Sequence, residues 1–148
     1  MILIEEELSL IEAAKEYIYA FLSEFGEFLP FALVMQGGDI IPLEHEENDQ
    51  SLTLTHLIYM YENYFNKERK DDREYQLGLL CVDIFIRSKK EKSKRKGIEY
   101  RLFGINYTKR VVQYYEILKD KTVLFNEMVG WDSEEDLYGN APNRELSQ

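Results

Sequence analysis

Between Leu77 and Trp131 the sequence leaves few architectures open. Runs rich in β-branched and aromatic residues are separated there by short polar turns, the pattern of an antiparallel meander. The predicted strands are Leu77 to Arg87, Ile98 to Tyr107, Val111 to Leu118 and Thr122 to Trp131. In the first, Leu80, Val82, Ile84 and Ile86 are wholly apolar, whereas Leu79, Cys81, Asp83, Phe85 and Arg87 are mixed. Side chains alternate across a pleated strand, so one face of the sheet is predicted to be core. In the second strand Glu99, Arg101, Phe103 and Ile105 alternate with Ile98, Tyr100, Leu102 and Gly104.

Upstream of the meander the periodicity changes. Leu8, Ile11, Ile18, Phe21, Leu22 and Phe25, with Ala14 beside them, recur at helical spacing and predict a helix from about Glu5 to Phe25. Glu5, Glu6 and Glu7 suit the positive end of its dipole, and Gly26 can take the left-handed conformation that ends it. Pro30 disfavours helix at Leu29, so Phe31 to Met35 and Ile40 to Leu43 read as a hairpin around Gly37-Gly38. Pro42 has no backbone donor, so the return strand is expected to lie at a sheet edge or to be broken by a bulge. Leu54, Leu57, Ile58, Tyr61, Tyr64 and Phe65 define a second amphipathic helix, with Asp49 or Ser51 as its cap. The charged run Asn66 to Arg73 must surface but is too short to divide domains.

The order helix, hairpin, helix, meander predicts an α+β fold: a two-layer sandwich of two helices packed on one mainly antiparallel sheet of about six strands. The helices are expected to cover one face, leaving the other polar, self-associated or covered by a partner. Residues 1–131 are read as a single domain, and 132–148 as an acidic, polar tail with the composition of a mobile segment.

Charge narrows the partners. The 148 residues carry a formal net charge of -10 with 45% hydrophobic content, enough for a core. A surface of that sign repels nucleic acid and anionic membrane and favours a basic protein partner, or another copy of the chain at an exposed edge. The opposite sign is concentrated in one hairpin tip, where Arg87, Lys89, Lys90, Lys92, Lys94, Arg95 and Lys96 face only Glu91. Interleaved aromatic residues, which a nucleic-acid grip would want, are absent from that tip, so it reads as a solvated loop or a contact for an acidic patch.

Cys81 is the only cysteine, which excludes an intramolecular disulfide and fits a reducing compartment. With no leader-like start and no run of about 20 apolar residues, the expectation is a cytoplasmic protein outside the membrane.

The residues that carry chemistry are few. Glu44-His45-Glu46-Glu47 is the densest ligand set, but alternate side chains of an extended segment point apart, so it reads as a hydrated acidic loop. His56 has no nucleophile at recognisable spacing, and Cys81 lies in an apolar strand where a thiol stays protonated. Asp83, Arg101, Glu116 and Glu127 are polar residues within strands; gathered on one face they could do acid-base work, and dispersed they are a solvated sheet face. No glycine-rich phosphate loop, dinucleotide fingerprint, nucleophile elbow or C-x-x-C is present, so no cofactor is called for and a non-enzymatic protein is expected. With 11 tyrosines and 8 phenylalanines the core need not absorb every ring; Tyr59, Tyr100, Tyr107 and Tyr114 are the candidates for an interaction surface.

The run Phe25-Gly26-Glu27-Phe28-Leu29-Pro30-Phe31-Ala32-Leu33-Val34, followed by Gly38-Asp39-Ile40, resembles the start of small uncharacterised bacterial α+β proteins, in which a helix leads into a G-E-F-x-P-F-A hairpin. Some of these resemble immunity proteins encoded beside secreted toxins, and the resemblance implies a neutraliser of a basic partner. In topology the chain is also similar to roadblock and profilin-like modules, which act by binding. The expectation is therefore protein-protein contact, with a small enzyme or ligand-binding domain on the polar sheet face and a self-associating module as alternatives.

Overall fold

The computed structural model describes residues 2–44, 53–67, 75–86 and 94–130. The chain runs α1 (Glu5–Phe25), β1 (Phe31–Gln36), β2 (Asp39–Pro42), α2 (Leu54–Lys67), β3 (Leu77–Ile86), β4 (Arg95–Gly104), β5 (Tyr107–Ile117) and β6 (Val123–Gly130). The strands form one sheet in the order β2-β1-β3-β4-β5-β6, every neighbouring pair antiparallel. The α+β class, the element order and the six-stranded sheet are those the sequence patterns predict. Pro42 lies on the edge strand β2, where its missing donor costs no ladder bond.

The helices divide between the two faces. Odd-numbered residues of β1 and β3, including Leu33, Met35, Leu79 and Cys81, share a core with Leu10, Ile11, Ala14, Ile18 and Leu22 of α1. Even-numbered residues, including Ala32, Val34, Leu80 and Val82, share a second core with Tyr61 and Phe65 of α2. The expected arrangement of both helices on one face is therefore corrected to one helix on each. The reason is visible in β3: residues 77–82 are buried throughout, as a strand covered on both sides requires.

Each helix is seated by one polar or small residue. Ile4, which precedes α1, donates its backbone N–H to the Glu7 carboxylate at 2.9 Å, half of a capping box. The left-handed Gly26 (φ 77°) ends the helix, its N–H donating to the Leu22 carbonyl at 3.0 Å. On α2 the first turn is capped by Thr53, whose Oγ1 accepts the His56 N–H at 3.1 Å; Asp49 and Ser51 lie outside the described residues. Phe65 packs against Gly78, where a Cβ would collide with its ring, and stacks on Phe103 at 4.6 Å between centroids. Gly78 and Phe103 are cross-strand partners, so the ring of one fills the space the other leaves.

Strand boundaries differ from expectation on both sides of the β4–β5 turn: β4 begins at Arg95, within the run expected as the basic tip, and not at Ile98, and β5 begins at Tyr107 and not at Val111. Gly104 ends β4 and Asn106 (φ 64°) makes the tight turn into β5, so Ile105 to Tyr107 are not a continuation of the strand. Asparagine tolerates the left-handed conformation such a turn demands. β5 and β6 also slip in register between Gln113 and Tyr115, a bulge that one-residue alternation does not reveal.

Candidate functional site

An apolar surface is left open where α1 ends and the chain turns into β1. α1 buries Glu7, Leu10, Ile11, Ala14, Ile18 and Leu22, a stripe displaced from the predicted one. Leu8, Phe21 and Phe25 are left outside it, Phe21 39% and Phe25 65% exposed. After Gly26 the connection alternates: Phe28 and Pro30 turn inward and are buried, while Glu27 and Leu29 turn outward, Leu29 being 65% exposed. Phe28 meets Phe31 edge to face at 5.8 Å, and Phe21 meets the same ring at 6.4 Å. Leu43, at the exit from β2, and Tyr61 of α2 close the other side. The result is a groove of about 790 Å³ lined by phenylalanine, leucine and proline, with Glu27 and Glu44 as the charged lining residues among those described.

The wall of the groove is pinned from beneath. Asp83 Oδ2 accepts the Phe28 N–H at 3.4 Å and Oδ1 accepts the Tyr115 hydroxyl at 2.7 Å. Lys96 Nζ donates to the Gly26 carbonyl at 3.4 Å and lies over the rings of Phe85 and Tyr115 at 5.3 and 5.6 Å. Burial pushes the Asp83 carboxyl above the usual carboxylate range. The Tyr115 hydroxyl, the Lys96 charge and the Phe28 amide pull it back only in part, and Glu27 adds to the rise.

The polar residues singled out in the strands do not meet. Asp83 belongs to the α1 face, whereas Arg101, Glu116 and Glu127 belong to the α2 face, as their positions in the strand register require. There they have separate partners: Glu116 accepts from Asn126 at 3.0 Å, Glu127 takes Arg95 at 3.0 and 3.3 Å, and Arg101 is held by Glu62 and by Glu99, the latter at 2.8 Å. The true cluster is Glu62, Arg101, Glu99 and Arg110, because Arg110 Nε pairs with Glu99 at 3.0 Å. Glu99 and Arg110 stand near each other across β4 and β5, and Glu62 comes down from α2; no spacing in the sequence announces this meeting. Burial alone would lower the Arg101 pKa, but Glu99 and Glu62 hold it above its ordinary value. Two cations balance two anions there, so the group is a locked ion-pair lattice over a concavity of about 550 Å³.

The predicted tyrosine surface is not one surface. Tyr59 is exposed on α2 beside His56 and Met60. Tyr100 is fully buried under α1, its hydroxyl donating to Gln113 Oε1 at 2.9 Å, which corrects its assignment to the exterior. Tyr107 is half-buried and donates to Glu7 at 2.6 Å, and Tyr114 lies beneath the Arg95 guanidinium at 3.7 Å. Exposed rings do gather towards the end of α1, where Tyr17 and Phe21 both meet Phe31; the helical spacing that predicts Phe21 and Phe25 as core does not place them inside.

Of the basic tip, Lys89, Lys90 and Lys92 lie outside the described residues. Lys94, Arg95 and Lys96 rest on Phe85, Tyr114 and Tyr115, aromatic partners supplied by neighbouring strands and not by the tip itself. His45, Glu46 and Glu47 also lie outside, and among the described residues no three potential metal ligands converge. Cys81 is buried, and burial pushes its thiol well above the ordinary range. No helix among the described residues is long and apolar enough to cross a membrane.

No protein family, curated protein or solved structure matches the chain.

Proposed function

We propose that this protein works by contact with a basic protein, using the groove at the end of α1 as its docking surface. The observation that carries this reading is the exposure of Phe25 and Leu29, each 65%, beside Phe21 in a concavity where the charged lining residues among those described are the carboxylates Glu27 and Glu44. Large side chains in that state lose contact with water only when something is laid over them, and aromatic anchors with a polar rim are the usual anatomy of a contact surface. The net charge of -10 extends the same preference to long range by steering a cationic partner inward. Neutralisation of a basic toxin by an immunity-type protein is the form of contact that the resemblance at Phe25 to Val34 implies.

The test is a photo-reactive residue placed at Phe25 or Leu29 of the full chain in its native cell, with Ile105 as control. Ile105 is 60% exposed but sits on the turn at the opposite end of the sheet. A basic protein cross-linked from the first two positions and not from the third is the expected result. No adduct, or the same adducts from all three sites, would refute the assignment.

A further inference from the structure

From the groove lining we infer the chemistry of its occupant: an extended segment of the partner that inserts an arginine or lysine side chain, flanked by aliphatic residues, between Glu27 and Glu44. This rests on the contact reading above and adds the anchor to it. A long cationic side chain has two halves, an apolar stem and a charged head, and the groove offers a separate surface for each. Phe25, Leu29 and Phe31 supply apolar area for the stem and its aliphatic neighbours. The head reaches two exposed carboxylates, and among the described lining residues no cation competes for them.

The rings strengthen the same preference, since the face of an aromatic ring attracts a cation and an anionic ligand gains nothing from it. The volume of about 790 Å³ accommodates one long side chain together with parts of its neighbours. The wall is also prepared in advance: Gly26 is fixed in its left-handed turn, Phe28 is buried and tied to Asp83, and Pro30 is buried. Little backbone ordering is left to be done on binding, which favours a short segment as ligand.

The probe is a capped pentapeptide alternating leucine and arginine, titrated into the full ¹⁵N-labelled chain, with a citrulline-for-arginine peptide as the neutral isostere. Amide shifts confined to residues 25–31 and 43–44, at least tenfold weaker binding of the citrulline peptide, and a comparable loss in the Glu27→Gln, Glu44→Gln double variant are expected. Both carboxylates are exposed, so the double variant should keep its fold, which circular dichroism checks. Equal binding of the two peptides, an unaffected double variant, or shifts on another surface would overturn the inference. The two readings fail separately. If the double variant still yields the Phe25 cross-link undiminished, contact stands and the cationic anchor is refuted; if the arginine peptide binds as described while Phe25 captures no protein, the anchor stands and the contact reading falls.

Discussion

Two carboxylates, one at each end of α1, show how the same side-chain chemistry is turned to opposite effect. Glu7 is fully buried and accepts three donors, the Ile4 amide at 2.9 Å, the Tyr107 hydroxyl at 2.6 Å and Lys109 Nζ at 2.7 Å. Burial alone would raise its pKa, but the bonds from Lys109, Tyr107 and Ile4 outweigh it and hold the carboxyl below the ordinary glutamate value. Its stabilising contribution is therefore complete above the unfolded pKa and lost as the pH falls through the lowered folded value. Glu7→Gln should cost about 2 kcal/mol at neutral pH, the scale of a charged hydrogen bond, and the deficit should shrink in acid; urea unfolding as a function of pH measures both. Asp83 has the reverse sign. Its folded pKa is raised, mainly by burial, so its contribution is complete below the unfolded value and lost as the pH rises through the folded one. Asp83→Asn should accordingly show a smaller decline in urea midpoint than the parent chain as the pH rises from about 4 to neutrality. In the sequence Glu7 was legible only as one of three acids at a helix start, because its distinguishing partners, Tyr107 and Lys109, are a hundred residues away.

At the scale of elements, the attachment of α2 is the more demanding problem, since this helix reaches the sheet through only a few side chains, Leu57, Tyr61 and Phe65 being its buried residues. A methyl group at residue 78 would meet the Phe65 ring, which is itself stacked on Phe103. Gly78→Ala should therefore cost roughly 1–3 kcal/mol, the usual penalty of overpacking, and circular dichroism with urea titration should show the loss; trimming Phe65 to leucine in the same chain should restore part of it. The ion-pair lattice beneath α2 makes a second demand. Arg101→Ala strands the buried Glu99 beside Arg110 alone and should destabilise by about 3–5 kcal/mol, well beyond the effect of Arg95→Ala, whose partner Glu127 is exposed. Equal losses for the two variants would show that the lattice contributes nothing as a unit. Helix and strand periods mark these elements but not the residues by which they touch: in the sequence Phe65 is one of six stripe positions, and Glu99 one of several polar positions on a strand.

For the whole molecule, the consequence of placing one helix on each face is that the sheet is buried on both sides at β1 and β3, and an open apolar surface lies at the end of α1. Because Phe25 and Leu29 pack against little, replacing both with serine should leave the unfolding free energy within about 0.5 kcal/mol of the parent. A larger loss in thermal or urea unfolding would mean that these side chains support the fold and are not held ready for a partner. Element order, the antiparallel hairpins and the net acidity were legible in the residues alone, since each follows from local period, turn chemistry or summed charge; Pro42 limited its strand to an edge or a bulge, and the sheet order chose the edge. Packing of the layers was needed to settle which face each helix covers, that Tyr100 is interior, that Asp83 and Arg101 lie on opposite sides, and that Phe21 and Phe25 face water. Period states that a side chain has a preferred direction, but what lies in that direction depends on contacts between residues far apart in the chain, and those exist only once the layers have packed.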